Sequence, residues 1–272
     1  MPELPEVETT RRGIAPYIIG RTVIAVTLRT AKLRLPLQPD LGSELTGRRI
    51  DAVTRRGKYL LLDCGGGTLL LHLGMSGHLR LLPAGTAAGK YDHVELALDS
   101  GVLLRLSDPR KFGTVIWLNG EPLSHPLLAW LGPEPLEGDF SAAYLLRVSR
   151  RRRVAVKILL MNSRVVVGVG NIYANEALFR AGIDPERPAG SLTEAECGAL
   201  AAAVKQTLAE AIAIGGTTLH DFLDAAGRLG YFRLELRVYG RGGEPCPVCT
   251  TPIRQSRLGG RSTFWCPLCQ GG

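Results

Sequence analysis

The sequence predicts an α+β protein. An N-terminal antiparallel β-sandwich with one flanking helix comes first, then a helical domain, then a short tail gathered around four cysteines. Three observations carry this reading. Short runs rich in leucine and β-branched residues, separated by turn residues, fill the chain to about Trp117. Beyond the Pro/Gly-rich stretch GPEPLEG, Gly132 to Gly138, the apolar period becomes helical. The tail then carries two Cys-x2-Cys pairs. The implied division is residues 1–131, a linker 132–138, a helical domain 139–234 and a cysteine-bearing module 235–272.

The elements follow in order. MPELPEVETT opens a helix over roughly Pro5 to Ile19. Pro5 suits a first helical position, and Glu6 and Glu8 complement the positive end of the helix dipole. A helix start leaves Pro2 and Glu3 unexplained, because both precede it. RTVIAVTLR and RRIDAVTRR alternate in part and read as strands. KYLLLDCGGGTLLLHLGMSGHLRLL reads as strand, glycine turn, strand, turn, strand, and HVELALDSGVLLRL as a hairpin about Asp99-Ser100-Gly101. After the linker, SAAYLLRVSRRRRVAVKILLMN has apolar residues at helical spacing. VGVGNIYANEALFRAGIDP places a glycine turn before a short helix, Ile172 to Arg180. SLTEAECGALAAAVKQTLAEAIAIGG starts with two capping-box matches, Ser191 with Glu194 and Thr193 with Glu196, and ends at Gly215-Gly216.

Charge narrows the partners. The 272 residues hold 33 Lys and Arg against 25 Asp and Glu, a net +8. From Phe140 to Asn175 there are seven basic residues and no acidic one. Such a surplus fits a polyanion, with a solvated charged face as the alternative. The first twenty residues lack a signal-type apolar stretch, and no run is long enough to span a membrane. The expected compartment is therefore the cytoplasm, where cysteines are reduced or metal-bound.

The tail pattern is Cys246-x2-Cys249, sixteen residues, Cys266-x2-Cys269. Two such pairs offer four thiolates, the donor set of tetrahedral Zn²⁺; disulfides are the alternative. Four protein ligands leave no open position, so one structural zinc is expected, organising a hairpin that bears Arg254, Arg257 and Arg261. Cys64 and Cys197 have no such partner and read as core residues.

Other candidates lie at turns. Gly168-x-Gly170-Asn171 before a helix offers free N–H groups to a phosphate, with Arg152 and Lys157 upstream; a plain N-cap at Asn171 is the alternative. Lys58 follows a turn glycine. Arg110 and Phe112 share a turn, a pairing that probes a duplex by wedge and cation; core packing is the alternative for Phe112. Pro2 follows the initiator methionine. Once Met1 is removed, its secondary amine is free to form an iminium that keeps its charge without a proton. Glu3 stands beside it as an acid or base.

Together PELPEVE, GKYLLL, HLGMSG, DPRKFG, GVGNIYANEALFRAGIDP, YFRLELRVYGR and the tail CPVC…GRSTFWCPLCQ resemble the bacterial formamidopyrimidine-DNA glycosylase family over nearly the whole chain. The resemblance implies a β-sandwich, a helix–two-turn–helix domain and a zinc finger. It implies a monomeric enzyme, without a protein partner, that excises oxidised purines from double-stranded DNA and cleaves abasic sites by β,δ-elimination. It implies Pro2 as nucleophile at C1′, Glu3 as proton donor, Lys58 as the β-elimination residue and Arg261 as the δ-elimination and phosphate residue. Met75, Arg110 and Phe112 would fill the gap left by an everted base. Arg152, Lys157 and Asn171 would meet phosphates, and Glu176 matches a family glutamate among the DNA-binding positions. Three departures touch DNA grip. Tyr91 replaces the first His of a His-Asp-His motif, Asn162 stands for Asp, and Gly259-Gly260 precedes Arg261 where Gln is usual, which implies a looser finger loop. Base choice is expected in the loop after Gly216. Two alternatives remain: an endonuclease VIII-type enzyme for oxidised pyrimidines, and a non-catalytic zinc-ribbon damage sensor.

Overall fold

The computed structural model describes residues 2–215 and 236–271. The chain divides into two compact units, one on residues 2–129 and the other on 130–214 with 236–271.

The first unit opens with helix α1, Leu4–Ile18. Glu3 is its N-cap, and the Glu3 N–H donates to Glu6 Oε2 at 2.8 Å within a capping box. The helix therefore begins earlier than its proline indicates, and Glu3 has a structural task the sequence reading did not give it. Eight strands follow: β1 (Val23–Leu28), β2 (Ala52–Arg56), β3 (Tyr59–Asp63), β4 (Gly67–His72), β5 (His78–Pro83), β6 (Asp92–Leu98), β7 (Val102–Ser107) and β8 (Thr114–Asn119). They form two four-stranded antiparallel sheets, ordered β1-β6-β7-β5 and β2-β3-β4-β8. Alternate residues of both sheets, among them Leu60, Leu62, Leu69, Leu71, Leu96 and Leu104, share one core with Val7, Ile14 and Ile18 of α1. This is the expected sandwich. A short helix α2, Leu41–Leu45, lies in a segment without a clear period and was not anticipated.

The second unit holds α3 (Ala142–Ser149), α4 (Val156–Leu160), α5 (Asn171–Ala181) and α6 (Glu194–Ala213). The run expected to be helical from Ser141 is broken between α3 and α4. Arg151 takes a left-handed φ of 60°, and the strap after it bonds elsewhere: Ala189 N–H donates to Val154 O at 2.8 Å, and Gly190 N–H to Arg152 O at 2.8 Å. Four successive arginines would crowd like charge onto one helix, whereas the strap keeps Arg150–Arg153 exposed. α6 starts at the Thr193–Glu196 capping box, and its line Leu200, Val204, Leu208, Ile212 is buried. The tail forms a hairpin, β9 (Arg254–Leu258) and β10 (Arg261–Trp265). Gly259 and Gly260, with φ of 54° and 75°, close it as a two-residue turn that residues with a Cβ rarely adopt. Cys64 and Cys197 are buried.

Candidate nucleic-acid interface and zinc centre

In the first unit, Pro2 is half-buried and leads directly into the buried N-cap Glu3. Lys58 occupies the turn between β2 and β3, half-buried. Helix and hairpin are bolted together through Glu8. Glu8 accepts from Arg55 Nε at 3.1 Å, from Arg12 Nε at 2.8 Å and from Arg11, whose Nη1 also donates to Val53 O at 3.3 Å. Burial alone would raise the Glu8 carboxyl, but the hydrogen bonds from Arg11, Arg12 and Arg55 outweigh it and hold its pKa at about 2.

His72 pairs with Tyr59 across β3 and β4, and their rings stand 4.8 Å apart. Burial, then the charges of Lys58 and Arg34, push its pKa down to about 4. Its Nδ1 accepts the Gly74 N–H at 3.0 Å, which leaves the proton of the neutral ring on Nε2. Both shifts act in one direction with pH. Each group binds more protons unfolded than folded as pH falls, Glu8 below its ordinary 4.5 and His72 below 6.5. The first unit is therefore expected to lose stability as pH drops from about 6.5 towards 2. Urea unfolding at stepped pH measures this, and Glu8→Gln should flatten the acidic end of the curve.

Met75, Arg110 and Phe112 are brought together. Phe112 is 41% exposed, so it is no core residue, and the Arg110 guanidinium lies 4.8 Å from its ring centre. The organiser is Asp108, fully buried and not singled out from sequence. Its Oδ1 accepts from Ser76 Oγ at 2.6 Å, beside Met75, and from the Arg110 N–H at 3.3 Å; its Oδ2 accepts from the Gly113 N–H at 2.7 Å. An Asp ahead of a proline in a turn was the available signal. Gly74 has a φ of 65°, and a Cβ there would come within 2.4 Å of the Phe112 backbone, so the two loops touch because this residue is glycine. Tyr91 joins the same cluster: its carbonyl accepts the Asp108 N–H at 2.9 Å.

In the second unit the expected phosphate residues separate into two kinds. Arg152 is exposed on the strap. Lys157 is 0% exposed, and its Nζ donates to Ser262 O at 2.7 Å and Thr263 Oγ1 at 2.8 Å. Asn171 is the first residue of α5, not its N-cap, which is Gly170; its Nδ2 donates to Ser262 O at 3.0 Å. Both side chains grip the finger strand one residue from Arg261, which stays exposed. Glu176 lies further along α5. It is buried and accepts the N–H groups of Arg237, Val238 and Tyr239 at 2.8–3.0 Å, so it fixes the entry to the finger. Asn175, not anticipated, accepts the Phe264 N–H at 2.8 Å; its spacing of four from Asn171 on one helix face was the signal. The base-choice loop after Gly216 lies outside the described residues.

The four tail cysteines converge. All four sulfurs lie within 4.8 Å of one another, with Cys246–Cys269 at 3.8 Å and Cys249–Cys266 at 3.3 Å. A tetrahedron of ~2.3 Å Zn–S bonds has edges of about 3.8 Å. The donor set fits one closed, structural zinc. Val248 and Cys269 N–H groups point at Cys246 and Cys266 sulfurs at 3.4 Å, as thiolate ligands require.

A β-sandwich, a helical unit carrying exposed arginines and a four-thiolate finger define a zinc-finger protein of the nucleic-acid-binding class. Comparison makes this specific. Residues 1–115 match the formamidopyrimidine-DNA glycosylase N-terminal domain, 131–222 its H2TH domain, and 243–271 the zinc finger found in FPG and IleRS. A formamidopyrimidine-DNA glycosylase of Geobacter sulfurreducens is 62% identical over 99% of this chain and 100% of its own length. The crystal structure of MutM (FPG) from Thermus thermophilus matches with 42% identity and a TM-score of 0.86, covering 99% of both chains. Lactococcus lactis Fpg, solved in complex with DNA containing an abasic site, matches with 33% identity and a TM-score of 0.91 over 99% of this chain and 100% of that one. The chain belongs to the formamidopyrimidine-DNA glycosylase family.

Proposed function

We propose that this chain is a base-excision DNA glycosylase and abasic-site lyase that removes oxidised purines from duplex DNA, with the amine of Pro2 as nucleophile. The observation that carries the reading is the whole-length kinship with formamidopyrimidine-DNA glycosylases, among them one solved with a Fapy-dG containing DNA and one with an abasic site. The bacterial relatives support a cytosolic location. No described helix is long and apolar enough to cross a membrane.

The chemistry follows from the residues. With Met1 removed, the Pro2 nitrogen attacks C1′ of the lesion nucleotide. The bond from C1′ to the base breaks, and the base leaves with a proton. Glu3 gives a proton to the ring oxygen, the sugar opens, and a C1′ iminium remains on Pro2. Its fixed positive charge acidifies the C2′ hydrogen. Loss of that proton and of the 3′ phosphate is β-elimination, assigned to Lys58. Loss of the C4′ proton and the 5′ phosphate is δ-elimination, assigned to Arg261. Hydrolysis of the iminium frees the enzyme. A stacked base would shield C1′, so the base must leave the helix. The exposed Met75, Arg110 and Phe112 suit the vacated space. Cys246, Cys249, Cys266 and Cys269 would hold a zinc that keeps the finger hairpin in shape, with no position left open for substrate.

The test is a side-by-side assay of 8-oxoguanine opposite cytosine against thymine glycol. Faster cutting of 8-oxoguanine is expected. Faster cutting of thymine glycol would assign the chain to oxidised pyrimidines.

A further inference from the structure

The outer face of sheet β1-β6-β7-β5 holds an unusual burial. Strand alternation sends Leu104 and Leu106 into the core, so Arg105 should point to solvent. It is 1% exposed. Its cross-strand neighbours are Glu95 on β6 and Arg80 on β5. Arg105 Nε donates to Glu95 Oε2, and Nη1 lies 3.3 Å from Asp92 Oδ2; Arg80 Nη2 donates to Asp92 Oδ1 at 2.7 Å. Buried ion clusters of this kind gain little stability over apolar packing of equal volume, so their use is to be sought in what they hold.

What this one holds is a loop. Residues 83–91 are exposed throughout. Arg105 Nη2 donates to Thr86 O, and Nη1 to Ala87 O at 3.0 Å. Asp92 Oδ2 accepts the Gly89 N–H at 2.7 Å. The Tyr91 carbonyl is held by the Asp108 N–H, and His93 Nε2 lies 2.9 Å from Asp108 O. The loop is pinned on both sides of its tip, and the tip carries a cation on an aromatic ring: Lys90 Nζ stands 5.5 Å from the centre of the exposed Tyr91 ring. A free lysine at a loop tip would lose much conformational freedom on meeting an anion, whereas this one is pre-placed. Asp108 joins the tip to the loops bearing Met75, Arg110 and Phe112.

We propose that Lys90, seated on Tyr91, is a contact for a DNA backbone phosphate, and that Arg105 is its buried positioning residue, acting through the Arg105–Asp92–Glu95 cluster on the 86–91 loop. This rests on the DNA-binding part of the reading above. The Tyr91 ring supplies the platform, and Lys90 supplies the charge.

The test measures affinity against salt on a duplex carrying an uncleavable abasic-site analogue. With about five phosphates neutralised, the native log–log slope is expected at about −4 to −5. Lys90→Ala should make it shallower by about 0.9 and weaken binding roughly five- to tenfold at about 0.1 M salt. Lys90→Arg should restore both. Arg105→Lys should reproduce the loss, and so should Asp92→Asn, a milder break that keeps side-chain shape should the first fail to fold. Adding Lys90→Ala to either should then cost little more, since the sites are coupled. A native slope in Lys90→Ala overturns the phosphate contact. A full additional loss from Lys90→Ala in folded Asp92→Asn protein overturns the positioning role. Native protein that shows the Lys90-dependent slope but cuts no lesion would sink the enzymatic reading and keep this one.

Discussion

Pro2→Gly is expected to lower both base excision and covalent capture of abasic DNA by about 100-fold or more, which is about 2.7 kcal/mol of transition-state stabilisation. The variant still has an N-terminal amine, so the loss isolates what the ring provides. A secondary amine gives an iminium that stays positive without a proton, and the pyrrolidine ring locks rotation about the Pro2 N–Cα bond just ahead of the N-cap Glu3. Glycine gives an imine that must be protonated to match, on a chain end free to rotate. Single-turnover cleavage of an 8-oxoguanine duplex measures the effect, with intact mass first establishing that Met1 is absent. Activity within a few-fold of the native enzyme would exclude the proline ring from the mechanism. The companion Glu3→Gln is informative because Glu3 also caps α1. Glutamine keeps an acceptor for the cap while removing the acidic proton, so it should depress excision without a matching fall in melting temperature. Glu3→Ala should lower both.

Zinc removal is expected to abolish specific DNA binding, by on the order of 100-fold or more, while the β-sandwich stays folded. A structural zinc contributes about 10–16 kcal/mol to the small domain it organises. Here the ligands Cys246 and Cys266 are part of the finger's own core, with Val238, Ile253, Phe264 and Phe179 of α5. Losing the metal removes the hub of that cluster. It also releases β10 from Lys157, Asn171 and Asn175, and with it the turn that presents Arg261. Among the described residues the sandwich core draws on the other unit alone. A strong chelator followed by DNA titration and thermal melting separates the two effects. Undiminished affinity in the metal-free protein would mean the finger hairpin does not depend on the four thiolates.

Much of this was legible in the chain because the signals were local. Alternation in HVELALDSGVLLRL and the turn at Asp99–Gly101 define β6 and β7, and the two Cys-x2-Cys pairs define a metal site by spacing alone. What escaped depended on contacts distant in sequence. Arg105 reads as a surface residue on alternation, yet a loop whose Thr86 and Ala87 lie 19 and 18 residues upstream covers it, as its bonds to their carbonyls require. The burial of Lys157 and Glu176 was not legible because their partners, Ser262 and Val238, lie 105 and 62 residues away. The break between α3 and α4 was hidden because its residues satisfy a helical apolar period while their backbone bonds go to residues 187–190. Glu3 was misplaced by one structural role because the proline at position 5 marks the second residue of the helix and not its first.

The central claim is a covalent bond between deoxyribose and the amine of Pro2, and reductive trapping tests it most directly. Mature protein is mixed with an abasic-site duplex and borohydride, and the adduct is digested and sequenced by mass spectrometry. The expected result is stoichiometric linkage with the added sugar mass on Pro2 in the N-terminal peptide. An adduct on Lys58 or another lysine, or none on protein shown to lack Met1 and to bind the duplex, would contradict the account.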